Sequence, residues 1–433
     1  MSTENRNGRP SAVIIGAGFA GLWAARTLAG KNLDVILLDR NNYHTFLPLL
    51  YQVGSAEIEP EQIAYPLRSM LRKFGNIRFI RGEVNRLNLS EKHLLCNGRR
   101  IDFDYCLLAA GSTTNYFNTP GAERTAFPLK TLDDAVILRN HILTCFERAA
   151  YSHQEELTVR LLTFVIVGGG PTGIELAGAL SELIRGPLRK DYPGGLTDRA
   201  RVILVEASGR VLGMLPEGLS LYTQKKLDRL GVELRLGSPV KEITGEGVRL
   251  IDGTLLPAET VVWSAGVRGD KAAEGWGLPL TGDGRVRVTP VLRAEGMDHV
   301  FVAGDLACFI HEEKPLPQIA PVALQQGVAA ARNIIAAVEG KPLEEFRYRD
   351  RGTMVTIGRN AAVARIGGRS FRGFAAWIIW LVIHIMNLIG FRNKILVMIN
   401  WAWDYFLFER AVRLILPRCC DNPSSSTCMR RCP

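Results

Sequence analysis

At 433 residues, with 47% hydrophobic and 22% charged residues, the chain has the make-up of a globular protein of two or three domains with an apolar surplus. Its formal net charge is +10, but 13 basic and 5 acidic residues fall between Lys341 and Arg418, so +8 of the excess sits in the last fifth. Such a charge could mean nucleic acid, a membrane or acidic substrates, and its location, at the C-terminal end, matters more than its size. Met1 to Pro10 is polar, without an apolar stretch, and no secretory signal is expected there. The eight cysteines are scattered, with no redox C-x-x-C.

The first strand and its loop read V-I-I-G-A-G-F-A-G, Val13 to Gly21, and lead into a helix expected from Leu22 to Leu28. Gly16, Gly18 and Gly21 stand in the G-x-G-x-x-G spacing, which gives a tight turn, close approach of a pyrophosphate and close helix packing. Unpaired N–H groups at the helix start favour the negative phosphates. A second strand, Asp34 to Leu38, ends in Asp39, 23 residues beyond Gly16, where a ribose-binding acid belongs.

Residues 41 to 54, N-N-Y-H-T-F-L-P-L-L-Y-Q-V-G, read as a loop and short helix beside this site. His44 within it is expected to be packed and hydrogen-bonded rather than catalytic. Ile77 to Arg81, Glu83 to Leu89 and His93 to Cys96 suggest an antiparallel hairpin. The strand Tyr105 to Ala109 runs into Ala110-Gly111 and returns to the sheet.

At Leu162 the pattern restarts as L-T-F-V-I-V-G-G-G-P-T-G-I-E-L-A-G-A-L, with Gly168, Gly170 and Gly173 in the same spacing. The strand Val202 to Val205 ends in Glu206, and Thr260 to Trp263 runs into Ala265-Gly266. Gly16 to Gly111 is 95 residues and Gly168 to Gly266 is 98, so one unit occurs twice. Arg185 to Ala200, rich in Pro, Gly and charge, reads as an inserted surface loop. Two loops, each with a strand-end acid and a return strand, argue for two dinucleotides.

Residues 300 to 305, V-F-V-A-G-D, form a further strand ending in Gly304-Asp305, and here the chain resembles the two-dinucleotide flavoprotein reductases. Within them it is most similar to type II NADH dehydrogenases, the single-chain NADH:quinone oxidoreductases. The resemblance rests on N-Y-H-T-F-L-P-L-L-Y-Q-V-G (42 to 54), G-G-G-P-T-G-I-E-L-A-G (168 to 178), A-P-V-A-L-Q-Q-G (320 to 327), G-F-R-N-K (390 to 394) and N-W-A-W-D-Y (400 to 405). It implies an α/β fold of two Rossmann-like dinucleotide-binding domains, the NADH domain inserted in the FAD domain, plus a C-terminal amphipathic helical membrane-binding segment. The expected bounds are 10–118 and 298–340 for FAD, 119–297 for NADH, 341–417 for membrane anchoring and 418–433 for a disordered tail.

By the same resemblance, non-covalent FAD lies on Gly16, Gly18, Gly21, Asp39, Val84, Ala110, Gly111, Asp305 and Val322. NADH lies on Gly168, Gly170, Gly173, Glu175, Glu206, Ala265 and Gly266. Glu175 and Gln325 are implied as catalytic, with Gln325 near the quinone; no metal is implied. His384, on the later apolar stretch, is a candidate proton donor to quinone, with a packed or interfacial histidine the expected alternative. Pro321 stands where many members have Gln, which removes a side-chain contact to the quinone. Glu206 favours NADH over NADPH because a carboxylate accepts from a 2′-hydroxyl and repels a 2′-phosphate, tempered by nearby Arg210. No Cys pair lies in 40 to 55, so thiol-disulfide exchange is not expected.

From Ala375 to Ile389 there are fifteen residues without Asp, Glu, Lys or Arg, then a basic turn, Arg392 to Lys394, then a second apolar run, Ile395 to Phe408. Fifteen helical residues cover about 22 Å, short of the roughly 30 Å of bilayer hydrocarbon. Two helices lying in the interface fit better, with Trp377, Trp380, Trp401, Trp403 and Tyr405 at headgroup depth and the basic excess drawing anionic lipid. A core helix pair or a homodimer interface is the alternative. The reading is a peripheral enzyme on the cytoplasmic face of the membrane that oxidises NADH and reduces membrane quinone without pumping protons. Sulfide:quinone oxidoreductase, with Cys308 as the thiol to watch, and a slow-turnover NADH-binding flavoprotein acting through partners are the alternatives.

Overall fold

In the computed structural model, residues 8–407, 409–410 and 412–416 are described; the tail from 418, with Cys419, Cys420, Cys428 and Cys432, lies outside them. Two five-stranded parallel sheets carry the fold. The first runs Val300–Val302, Tyr105–Leu108, Ser11–Ile15, Asp34–Asp39, Ile77–Arg81. The second runs Phe127–Pro128, Thr260–Trp263, Thr163–Val167, Arg201–Val205, Val232–Arg235. Each glycine loop follows the central strand of its sheet. Both central strands are apolar along almost their whole length because neither face meets water.

The units are joined by an antiparallel bridge, Ser112–Thr114 on Val267–Gly269. Beyond that bridge Ala273, Trp276, Leu278, Val286 and Ala294 pack with Val13, Cys106 and Val302 against the first sheet. The return to the first unit's core therefore comes near residue 270, earlier than the expected 297. Burial of these scattered apolar residues is what draws the segment back.

Three further expectations change. Ile77–Arg81 is the outer strand of the first sheet, paired with Asp34–Asp39, and the antiparallel meander is Val84–Asn88, His93–Cys96 and Arg99–Asp102. The first helix begins at Phe19, with Gly18 as its N-cap, so Gly21 lies inside it. Arg185 to Ala200 is a π-helical turn and two short helices whose Pro187, Leu188 and Thr197 are buried, not a bare surface loop.

The C-terminal region is a three-stranded sheet, Thr353–Gly358, Ala361–Ile366 and Arg369–Gly373, then helices Phe374–Asn387 and Phe391–Leu407. The basic Arg392 to Lys394 falls in the first turn of the second helix rather than between helices. Among the described residues no helix is long and apolar enough to cross a membrane. The sheet packs on the helix Pro171–Leu183, where a Cβ on Gly178 would lie 2.1 Å from the Ile357 carbonyl oxygen. Gly178→Ala should therefore force that strand away and lower stability by about 1–3 kcal/mol, read as a lower midpoint in urea; an unchanged midpoint would show that the contact is soft.

Candidate functional site

The first loop is built by sterics. Gly16 has φ +101°, and a Cβ there would lie 2.3 Å from Ala109 O; a Cβ on Gly21 would lie 1.8 Å from Gly16 O. Gly18 has open space where its Cβ would be, so a phosphate can come up to the backbone. Asp39 accepts from Ala17 N at 2.7 Å and from Asn41 N at 2.7 Å. Burial pushes its carboxyl up, and those two amides pull the other way.

The second loop repeats this. Gly168 has φ +114° with a Cβ 2.7 Å from Ala265 Cα, a Cβ on Gly173 would meet Gly168 O at 1.9 Å, and Gly170 is open. Glu206 accepts from Gly169 N at 2.6 Å and Ser208 N at 2.7 Å. Arg210 donates to Gly213 O at 2.6 Å. Two dinucleotides fit this pair of cradles.

At the close of the first unit, Asp305 accepts from Ser112 Oγ at 2.5 Å and from Lys130 Nζ at 3.3 Å. Lys130, missed in the sequence, reaches in from the second unit. Val84 and Ala110 pack beside the first sheet, and Val322 is buried in its core with the first helix. In the second unit the position of Gly266 is close to Phe117, whose ring would lie 2.7 Å from an added Cβ; Ala265 is exposed.

A cavity of about 470 Å³ lies where the helix Pro171–Leu183, the 50–57 segment and the two C-terminal helices meet. Its inner wall is polar: Tyr51, Gln52, Glu57, Glu175, Glu182, Thr356, Arg359 and Asp404. Its outer wall is apolar, with Leu381, Val382, Ile385, Met386, Met398 and Phe406. Glu175 faces it from the helix that begins at the second loop. Burial pushes the Glu175 carboxyl up to about 8, opposed by the Thr356 amide, 3.4 Å from Oε1, and by the Trp380 indole, while Glu57 pushes the same way as burial. The Trp380 N–H closes no hydrogen bond of normal geometry. Burial likewise lifts Glu57 to about 7, against the pull of Arg410.

Arg410, 2% exposed, fixes this wall. Its guanidinium donates to Ser55 O, Ala179 O and Glu57 Oε1 (2.7 Å) and lies 3.6 Å from Glu182 and 3.8 Å from Asp404. Arg359 donates to the carbonyls of Asp404 and Tyr405 at the end of the last helix, where a cation complements the helix dipole.

The structure does not place Gln325 among the residues lining this cavity. Its amide pairs with both backbone groups of Arg349, at 3.0 and 3.1 Å. The buried neighbour is Gln326, which accepts from Gly304 N at 2.8 Å; the spacing Val322, Gln326, Ala330 along one helix face was the available signal. His384 is packed, with Nδ1 2.7 Å from Trp380 O and its ring 4.0 Å from that indole; burial lowers it to about 4, so it is neutral at pH 7. His44 is buried too, against Ala17 O. Among the described lining residues there is no cysteine, and Cys308 is buried outside the cavity.

The aromatic residues also part company with expectation. Trp380 is 1% exposed in the core, Trp401 donates to Gln52 Oε1 at 3.0 Å, and Trp377 stacks on Tyr405 at 5.6 Å. Of the five, Trp403 is the one that is more than half exposed. The Trp401 N–H and the flat faces of Trp377, Trp380 and Tyr405 are used to dock the helices.

Residues 10–327 match the pyridine nucleotide-disulphide oxidoreductase family and residues 351–411 the NDH2 C-terminal domain. The chain is 38% identical, over 93% of its length and 89% of the relative's, to the type II NADH:quinone oxidoreductase Ndh of Mycobacterium tuberculosis. It is 31% identical to the type II NADH:quinone oxidoreductase of Staphylococcus saprophyticus over 84% of this chain and 92% of that one. Its fold is similar to NDH2 from Plasmodium falciparum, solved with NADH, at TM-score 0.86 and 17% identity over 94% of this chain and 100% of that one. The sulfide:quinone oxidoreductase of Aquifex aeolicus shares the fold more loosely, at TM-score 0.72 and 16% identity over 92% of this chain and 95% of that one.

Because Glu175 goes from a free value of 4.5 to about 8 in the fold, the native protein holds a proton that the unfolded chain releases across that range. Its contribution to stability is present in full below 4.5 and is lost as pH rises through 8. Glu175→Gln should flatten the fall in melting temperature over that window; an unaltered pH–stability curve would place Glu175 in water.

Proposed function

We infer how this protein works from the premise that the chain belongs to the type II NADH:quinone oxidoreductases. It is an FAD-dependent enzyme that oxidises NADH and reduces quinone. When bound, FAD takes a hydride from NADH and passes two electrons on to the quinone.

The first unit is read as the FAD site, with Gly16, Gly18 and Gly21 cradling the pyrophosphate, Asp39 at the ribose and Asp305 at the chain between ring and phosphates. The second unit is read as the NADH site, where Glu206 meets the adenine ribose. The single observation that carries the quinone assignment is the cavity: an acid-lined interior opening between two apolar helices. Its polar end suits a quinone head and its apolar end the isoprenoid chain.

Quinone, NADH and one proton from solvent give quinol and NAD⁺. Glu175, protonated at neutral pH, is the residue proposed to hold that proton at the cavity wall and release it to a quinone oxygen; Tyr51 and Gln52 beside it orient the head. Gln325, bound to Arg349, would reach a quinone only after giving up that pairing. Glu175→Gln should slow reoxidation of the reduced enzyme by a soluble quinone by about 100-fold and leave flavin reduction by NADH near the parent rate in stopped flow. In the parent the quinone step should decline as pH rises through 8, and equal slowing of both half-reactions would refute a role confined to quinone.

The helices present one apolar stripe each: Phe374, Ile378, Val382 and Met386, and Phe391, Ile395, Ile399, Trp403 and Phe406. These recur at i+3 and i+4, opposite the docked Ala376, Trp380 and His384. With the basic excess of this region they support a protein that lies on an anionic membrane, proposed on its cytoplasmic face, with its cavity open to the lipid. Deleting residues 374–433 should abolish flotation with anionic vesicles; flotation of the shortened chain would refute the anchoring, and loss of a dimer instead of flotation would reassign these stripes to self-association.

A further inference from the structure

We propose that His44 is a positioning residue for the first glycine loop, holding the Ala17–Gly18 peptide so that the Gly18 N–H faces the FAD pyrophosphate. The proposal rests on the reading of the first unit as the FAD site.

His44 is 2% exposed, and its Nδ1 lies 2.9 Å from Ala17 O. A carbonyl oxygen only accepts, so Nδ1 carries the proton and Nε2, buried without a partner, is the bare nitrogen. The ring is fixed in place by the edge of Phe19 at 5.0 Å and by Trp23 at 6.0 Å between centroids. Its strand, Tyr43–Thr45, is paired with Ala64–Pro66, with His44 opposite Tyr65.

In a trans peptide the C=O and the following N–H point in opposite directions. The bond that draws Ala17 O toward His44 therefore turns the Gly18 N–H the other way. At Gly18 the space is open, and Gly18 is the N-cap of the first helix. The preceding peptide is held independently, because Asp39 accepts the Ala17 N–H. Both polar groups of Ala17 are thus pinned by side chains.

The second loop shows that the restraint is a feature of the repeat. There Gly169 N–H is held by Glu206, as Ala17 N–H is by Asp39. Gly169 O is held by the backbone N–H of Leu212 at 2.8 Å. The same carbonyl is fixed in both units, by a main-chain donor in the second and by the His44 side chain in the first. One histidine ring does locally what a folded-back loop does in the other half.

The test uses purified holoenzyme with His44→Leu and His44→Asn, the latter placing an amide N–H near the site of Nδ1. Flavin retention is read from release in rising bromide, and NADH affinity from nicotinamide fluorescence. His44→Leu should release flavin at about three- to tenfold weaker apparent affinity, the worth of one neutral hydrogen bond, with NADH affinity unchanged and His44→Asn restoring most of the loss. Parental retention in His44→Leu, or equal loss in both variants, overturns the proposal, because then the donor is not what holds the loop. Weakened NADH binding with retained flavin is a different failure, since it overturns the assignment of the first unit to FAD.

Discussion

Burying a guanidinium costs several kcal/mol unless its donors and its charge are both met, and the placing of the C-terminal helices depends on how Arg410 meets that cost. Its donors go to Ser55 O, Ala179 O and Glu57, with Glu182 and Asp404 close by. These partners come from the first unit, the second unit and the last helix. One side chain therefore ties three parts of the chain, beside a buried apolar cluster that also spans them. The aromatic docking of Trp380 and Trp401 follows the same line, and between the charge knot and the rings lies the cavity.

That arrangement explains the acids of the cavity. Three carboxyls, Glu57, Glu182 and Asp404, share Arg359 and Arg410, while Glu175 has no cation among its partners. A carboxyl in that position keeps its proton, because burial disfavours the charged form and nothing of opposite sign repays it. The acid suited to give a proton is thus the one left out of the ion-pair knot. Gly178, one turn further along the same helix, sets how near the Thr356 amide comes to it.

Much of this was legible in the sequence where a side chain's absence or its spacing does the work. Gly16, Gly21, Gly168 and Gly173 were readable because a Cβ at any of them would collide with backbone. Asp39 and Glu206 were readable as strand ends. What escaped was set by contacts distant in the chain. Arg410 reaches Glu57 across 353 residues, and no local pattern marks it. Gln326 was passed over for its neighbour because a motif names a pair, while the helix face decides which of the two turns inward. The tryptophans looked interfacial by composition, yet an indole with a partner across the cavity is worth more docked than exposed.

The two halves differ in how the loop carbonyl is held. The proposed NADH unit holds its Gly169 carbonyl with a main-chain donor, Leu212 N–H, while the ribose acids of both units are half-buried. The proposed FAD unit has its loop carbonyl held by the buried His44 ring, whose neighbour Phe19 meets Phe46 at 6.0 Å between centroids, and Phe46 meets His384 of the first C-terminal helix at 6.2 Å. The helix that Phe46 meets through His384 also lines the cavity. The first glycine loop and the first C-terminal helix are thereby joined by one continuous line of contacts, from Ala17 through His44, Phe19 and Phe46 to His384.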